Sequence, residues 1–503
     1  TLYLSSAASD VYKRQVLCDN TPPSRASFSS DSLQPDMTSR THLTDAETPA
    51  SPLAPVLPAK GTLSWGKLEG DSLSLALACA TRTHDGLLVV VTPDMQSADH
   101  LYDRIGFFLD GTDTTRHVLP DWETLPYDVF SPHQDIISGR LSTLYHLTGI
   151  RHGILIIPVS TLMQRLAPRE FLYRNSLIMR KGERLDLDAM RERLDSAGYR
   201  CVSQVMEHGE FAVRGSLLDL FPMGSDMPYR IDLFDDEIDS IKTFEIETQR
   251  SVESCESINL LPAREFPLHE EAVRLFRKQF RARFEGDPQG STIYRDVSEG
   301  IVPGGIEYYL PLFFDSTASL LDYLPAQSII VVPHDVDAII GQAWTEIEER
   351  YELCRLDPER PVLRPDETFY SPESARRKLE DLSLIRYSAQ TLAESASTVN
   401  YSTRLPPALR IEARYEDPSA QLIAFLEPFA GRVLFMADSA GRREEIIDLL
   451  RGHSVELERV NAWDEFLQSG QRIGVAIASI ENGVLFGDAG LAIIGDQQLY
   501  GER

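Results

Sequence analysis

The sequence is short of cysteine and short of positive charge. Its 503 residues include five cysteines, Cys18, Cys79, Cys201, Cys255 and Cys354, and no two form a C-x-x-C pair. That pattern suggests neither a zinc site nor a disulfide framework, and it fits a reducing cytoplasm. Lysine and arginine number 49 against 77 aspartates and glutamates, a formal net charge of −28. Such a surface repels phosphate backbones, so tight nucleic-acid binding over most of the chain is disfavoured, a local basic patch aside. No run of about 18 apolar residues occurs, so no membrane-spanning helix is expected. What is present is ordinary globular composition, at a length that asks for roughly three or four domains.

Residues 1–55 are rich in Ser, Thr, Asp and Pro without a sustained apolar period, and they read as a disordered tail. They hold no h-region of signal-peptide length. The opening TLYLSSAASDVYKRQ reads as translated adapter sequence, with Met37 as the expected start. The chain is expected to be a fragment, cut within GDQQLYGER.

Between the ends, hydrophobic patterning divides the chain. GLLVVVTP and HGILIIP are apolar runs bounded by Gly and Pro, the pattern of buried parallel strands. SLSLALACATRT and MQSADHLYDRIGFFL have helical length and spacing. Together they predict an α/β domain with a parallel sheet over 56–175. Residues 176–262 alternate short strands with a helix from Asp186 to Ala197, and read as a small α+β domain. Residues 263–370 are helical, with a strand ending at Pro333 and a long helix near 335–355. Residues 371–405 are Pro-, Ser- and charge-rich and are expected to hold a linker. Residues 406–497 predict a second, smaller α/β unit.

Gly61–Lys67 (GTLSWGK) fits the phosphate-loop pattern G-x-x-x-x-G-K. Such a loop needs Ser or Thr next, to hold magnesium, and Leu68 stands there. No convincing strand leads into it, so the match reads as chance. His133 has no Ser–His–Asp or Cys–His partners in view and reads as a satisfied loop histidine.

Three longer stretches carry a resemblance: DWETLPYDVFSPHQDIISGRLSTLYHL (Asp121–Leu147), the run Ser196–Ser240 that contains EFAVRGSLLDLFP and YRIDLFDDEIDS, and GGIEYYLPLFF (Gly304–Phe314). From about Leu57 onward the chain resembles the N-terminal part of the bacterial transcription-repair coupling factor family, and more weakly the excision-repair protein UvrB. The resemblance implies a multidomain α/β protein. A degenerate P-loop-type parallel domain (1a, 56–175; 1b, 263–370) would carry an inserted α+β UvrA-binding domain (176–262). A small third domain would follow, and an RNA-polymerase-interacting domain would begin at 498–503.

In UvrB-like proteins the phosphate loop lies one helix before the strand that matches Leu87–Thr92. Counting back places Gly70, Asp71 and Ser72 there, with Asp71 at the lysine position. The acidic DESH pair after LLDYLP falls on Pro333 and His334. Proline has no metal-ligating group, and a carboxylate at the lysine position repels a triphosphate. The resemblance therefore implies a degenerate nucleotide site, with no catalytic residue, no metal site and no cofactor in this chain. ATP and Mg²⁺ are expected only in the family's translocase motor, outside this sequence. By position, Arg214, Arg230 and Phe234 match the two arginines and the aromatic that contact UvrA in the family. Read from spacing alone, Arg214 caps a turn beside Gly215 and Phe234 is core. The acidic run Asp235, Asp236, Glu237 and Asp239 reads as a solvated turn face, expected to mask the arginines. The path from Tyr127 to Gly139 has no room for UvrB's DNA-inserting hairpin, so damage verification is not expected.

The resemblance further implies a cytoplasmic monomer that binds no membrane. RNA polymerase and double-stranded DNA would be engaged by further domains, and one of these would cover the UvrA surface. Two competing readings stand beside the adaptor: a competent UvrB-like ATPase, and an autoinhibitory brake on the motor.

Overall fold

The computed structural model describes residues 51–411 and 418–501. The expectation of a disordered tail lies outside the described residues up to position 50. Over 51–55 the structure corrects it: Leu53 is buried, and Ser51 Oγ lies 3.0 Å from Cys79 Sγ. One apolar side chain in a polar stretch is enough to pin it.

The chain then alternates strand and helix. β1 (Thr62–Gly66) is followed by α1 (Ser72–Thr83), β2 (Leu87–Thr92), α2 (Met95–Leu109), β3 (Thr115–Val118), α3 (Gln134–Leu147) and β4 (Gly153–Pro158). β2 and β4 are buried at every position, as continuous Val/Ile/Leu runs in parallel sheets are. α2 begins where Asp94 accepts a hydrogen bond from the Ser97 amide at 2.7 Å. Its apolar stripe, Ala98, Leu101, Tyr102, Ile105 and Phe108, is buried at helical spacing.

An antiparallel meander follows: β5 (Glu210–Arg214), β6 (Leu217–Phe221), β7 (Tyr229–Phe234) and β8 (Glu237–Phe244). Arg200–Cys201 and Ser251–Cys255 complete six strands. Strand Leu177–Arg180 pairs antiparallel with Ser257–Leu260, so the unit is tied where the chain enters and leaves it. Period-2 alternation gives the sheet two faces. Phe211, Leu218, Leu220, Ile231, Leu233 and Ile241 join the main core. Val205, Ala212, Phe221 and Phe244 form a small separate cluster.

The chain returns to the first sheet with β9 (Ile329–Pro333), α4 (Val336–Cys354), α5 (Pro372–Glu380), β10 (Ser383–Tyr387) and β11 (Thr398–Asn400). The sheet is seven-stranded and all parallel, in the order β11-β1-β10-β9-β2-β4-β3. This corrects the linker expected over 371–405. That stretch supplies α5, β10 and β11, and its Thr403–Arg404 joins the next sheet. β10 is short and flanked by polar residues, so it shows no run of its own; pairing on both sides holds it.

The third unit centres on β12 (Arg432–Ala437), with Ile473–Ile477 and Leu491–Ile494 parallel on either side. Residues 498–501, expected to open a further domain, belong to it: Leu499 is buried in its core. Only 502–503 of that expectation lie outside the described residues. Trp463 packs edge-on against Phe108 of α2, centroids 5.4 Å apart. The third unit thus shares an apolar core with α1 and α2.

Candidate functional site

Gly61–Lys67 is not a loop. It contains β1, held between β10 and β11, and a Cβ on Gly66 would meet Asn400 Oδ1 at 2.0 Å. The glycine serves strand packing. Lys67 turns through a left-handed backbone (φ 56°) and donates its amide to Gln390 O at 2.7 Å.

Gly70, Asp71 and Ser72 form the turn into α1. A Cβ on Gly70 (φ +59°) would meet Gly483 O at 2.0 Å and Asn482 O at 2.9 Å, so a loop of the third unit lies directly on this turn. Asp71 is buried at the N-cap but its carboxylate does not cap the helix. Its Oδ1 is 3.0 Å from Arg104 Nη1, and its Oδ2 accepts from the Asn482 amide at 2.8 Å. Arg104 also reaches Glu481 Oε2 at 3.3 Å. Burial pushes the Asp71 carboxyl above the usual carboxylate range, while Arg104 and the Asn482 amide pull it back. Ser72 is buried as the first residue of α1.

Pro333 ends β9 opposite Tyr387, and the His334 amide donates to Tyr387 O at 2.8 Å. The His334 side chain is exposed, and Asp335 stands at the N-cap of α4. Both halves of the expected nucleotide site thus lie at the carboxyl edge of parallel strands separated by β10, where open α/β sheets place ligands. Among the described residues no three His, Cys, Asp or Glu side chains group as metal ligands. His133 caps α3, accepting from the Asp135 amide at 3.3 Å.

Arg214, Arg230 and Phe234 share one face of the meander. Asp219 on β6 pairs with Ala212 on one side and Arg230 on the other. Residues two and four further along β5 and β7, Arg214 and Phe234, share that face. Asp219 is 1% exposed and binds both arginines. Arg230 forks onto it, Nε to Oδ1 at 2.7 Å and Nη2 to Oδ2 at 2.9 Å, and Arg214 Nη2 donates to Oδ2. Arg230 also donates to Gln249 O at 3.0 Å and lies 4.9 Å above the Phe244 ring. Its hydrogen bond to Asp219 raises its affinity for the proton still further. Phe234 is 80% exposed, which removes the reading of it as core. The two-residue turn Asp235–Asp236 follows it, with Asp235 left-handed (φ 60°). The acidic run stays exposed, and Asp219 rather than that run holds the arginines.

Sequence reasoning passed over Asp219, although a lone aspartate inside LLDLF is a signal: a charge in a buried run needs a partner. Arg104, Glu481 and Asn482 left no comparable trace. Asn482 lies 411 positions from Asp71, and a backbone amide has no sequence signature.

Residues 177–266 match the UvrB interaction domain, and residues 425–499 match the domain described as MFD, D3. The chain is 43% identical over 439 residues to the transcription-repair-coupling factor of Escherichia coli strain K12, covering 87% of this chain and 38% of that protein. It is 42% identical to the same factor of Haemophilus influenzae, over 86% of this chain and 37% of the relative. The factor of Myxococcus xanthus is 28% identical, over 84% and 38%. The chain thus spans under two fifths of the length of these relatives. Over most of its length this chain is homologous to the N-terminal part of transcription-repair-coupling factors.

Proposed function

We propose that this chain is a non-catalytic adaptor that recruits UvrA to stalled RNA polymerase in transcription-coupled excision repair. The observation that carries the reading is Phe234, an aromatic 80% exposed on the face that also holds two arginines preset on one buried carboxylate. Exposed aromatics and arginines are the side chains that dominate interface energies. The matched UvrB interaction domain and the relatives' names support the same partner and pathway. RNA polymerase and double-stranded DNA are assigned to the further length of the relatives, as are ATP and Mg²⁺. The cytoplasm is the expected compartment; among the described residues no helix is long and apolar enough to cross a membrane.

The adaptor reading treats the turn at Gly70–Ser72 as a nucleotide site that is no longer used, because Asp71 and the Asn482–Gly483 backbone occupy it. Titration of the purified chain with UvrA, for wild type and for Phe234→Ala and Arg230→Ala, tests the partner. Undiminished binding by both variants refutes the site. Titration with ATP–Mg²⁺ tests the other half, and micromolar binding there refutes the non-catalytic reading.

A further inference from the structure

Six of the fourteen large apolar side chains exposed among the described residues fall on three adjoining segments: Leu125, Val129, Phe130, Ile301, Leu353 and Leu356. The segments are held to one another by side-chain contacts and by close backbone approach. Arg350 Nε donates to Pro126 O at 3.1 Å, at the end of α4. The Tyr127 ring packs tilted against Tyr351, ring centroids 5.9 Å apart. Gly304 and Gly305 lie so close under Val129 O and Asp128 O that a Cβ would meet them at 2.5 and 2.2 Å.

The loop 121–131 is pinned rather than loose. Trp122 Nε1 donates to Glu265 Oε2 at 2.7 Å, Tyr308 Oη donates to Leu125 O at 2.7 Å, and Ser131 Oγ donates to Glu307 Oε2 at 2.8 Å. Tyr127 is buried between Tyr308, Tyr351 and Phe369 with a left-handed backbone, φ 61°. A bulky aromatic adopts that conformation only when its surroundings fix it. Between the pins, Phe130 is left 71% exposed.

The surroundings are acidic. Residues 121–131 and 346–360 carry nine carboxylates and three arginines. Arg350 and Arg360 are turned onto the carbonyls of Pro126 and Gly304, and Arg355 pairs with Glu352 at 2.7 Å. The negative charge is felt locally. Burial together with Glu123, Asp103 and Asp121 holds the Asp99 carboxyl up to about 6, against the opposing pull of His100. Nucleic acid, an anionic lipid surface and a second copy of this acidic chain would each add negative charge here.

We infer that this face is a second docking surface, distinct from the Phe234 face, and that it takes a partner-protein segment with apolar anchors flanked by lysine or arginine. The apolar side chains supply contact area, and the carboxylate rim selects basic flanks and speeds encounter.

The test uses the whole chain and a short amphipathic leucine–lysine peptide, with a leucine–glutamate peptide of equal length as counterpart. Binding is followed by fluorescence anisotropy for wild type, for Phe130→Ser combined with Leu356→Ser, and for Val252→Ser, an exposed apolar control on the meander. The leucine–lysine peptide is expected to bind wild type and the control alike, at least about tenfold more weakly to the double variant, and more weakly as salt rises. Thermal melts of the three proteins should coincide, because the altered side chains face water. Equal peptide binding by wild type and the double variant overturns the proposal. So does equal binding of the leucine–glutamate peptide. Self-association that the double variant abolishes would assign the face to a second copy, and binding to phosphatidylcholine vesicles lost in that variant would assign it to lipid. Either result overturns the inference as stated.

Discussion

Two corners of this molecule use the same chemistry to opposite ends. At Asp71 a buried carboxylate meets Arg104, and at Asp219 a buried carboxylate meets Arg230 and Arg214. The first corner is closed: the Asn482–Gly483 backbone lies on it and the third unit shares its core with the helices beside it. The second is open: the arginines are partly exposed and Phe234 stands exposed on the same face. An ion pair of this kind therefore says little about function by itself. What lies over it decides. A helix start that could face an anion instead lies under the Asn482–Gly483 backbone. An arginine pair that an acidic chain would otherwise scatter is gathered by one side chain.

The largest expected effect is at Asp219. Asp219→Ala leaves two guanidiniums without their shared carboxylate, one of them against the Phe244 ring. Because both arginines retain some exposure, the loss should be about 2–4 kcal/mol rather than the full cost of a stranded buried charge. Urea denaturation measures it, and UvrA binding should fall along with it. A stability change under about 0.5 kcal/mol would mean that Asp219 does not organise this face.

Phe234→Ala separates binding from folding. The side chain packs on little of its own protein, so melts should match wild type within about 0.5 kcal/mol. UvrA affinity should fall by roughly 30-fold or more, the scale of a hot-spot aromatic. Equal affinity would leave the open corner without a purpose.

Glu307 is a third buried carboxylate, and among the described residues no ion pair reaches it. It accepts from Ser131 Oγ at 2.8 Å, and burial holds its carboxyl up to about 7. Between its ordinary value of 4.5 and about 7, the folded protein keeps a proton that the unfolded chain has released. Stability should be greatest below that window, fall as pH rises through it, and level off above. Glu307→Gln should remove this component and be more stable than wild type at pH near 8, by something on the order of 2–3 kcal/mol. Parallel stability–pH curves for the two proteins would contradict the assignment.

Much of the architecture was legible because periodicity reports burial. The runs that became β2, β4, β9 and β12 announced themselves, and α2 carried its stripe. β10 did not, since it owes its place to two neighbours more than to its own residues. The open corner was legible in part. Arg214, Arg230 and Phe234 came from resemblance, and the exposure of Phe234 contradicts what spacing alone implied. The closed corner was marked only by resemblance, which set Asp71 at the lysine position of an expected phosphate loop. Nothing local to Gly70–Ser72 announces the loop that fills it. The misleading Gly66 had a physical cause: strand packing demands glycine as firmly as phosphate does.

The smallest expected effect is at the closed corner, and it tests the comparison most sharply. Burial raises the Asp71 carboxyl more than Arg104 and the Asn482 amide lower it. Folding therefore costs more with Asp71 ionised than with it neutral. Asp71→Asn keeps an oxygen to accept from the Asn482 amide and gives up the pair with Arg104, which retains Glu481 at 3.3 Å. The two changes oppose each other, so the net effect should be within about 1 kcal/mol. The sign should depend on pH. The variant should gain on wild type as pH rises above 3.8, the ordinary aspartate value, and the gain should level off once pH passes the raised value in the folded protein. Urea denaturation of both proteins at several pH values reads this directly. A loss of about 2 kcal/mol or more at neutral pH would show that the Asp71–Arg104 pair holds the third unit as firmly as Asp219 holds its arginines, and the contrast between the two corners would fall.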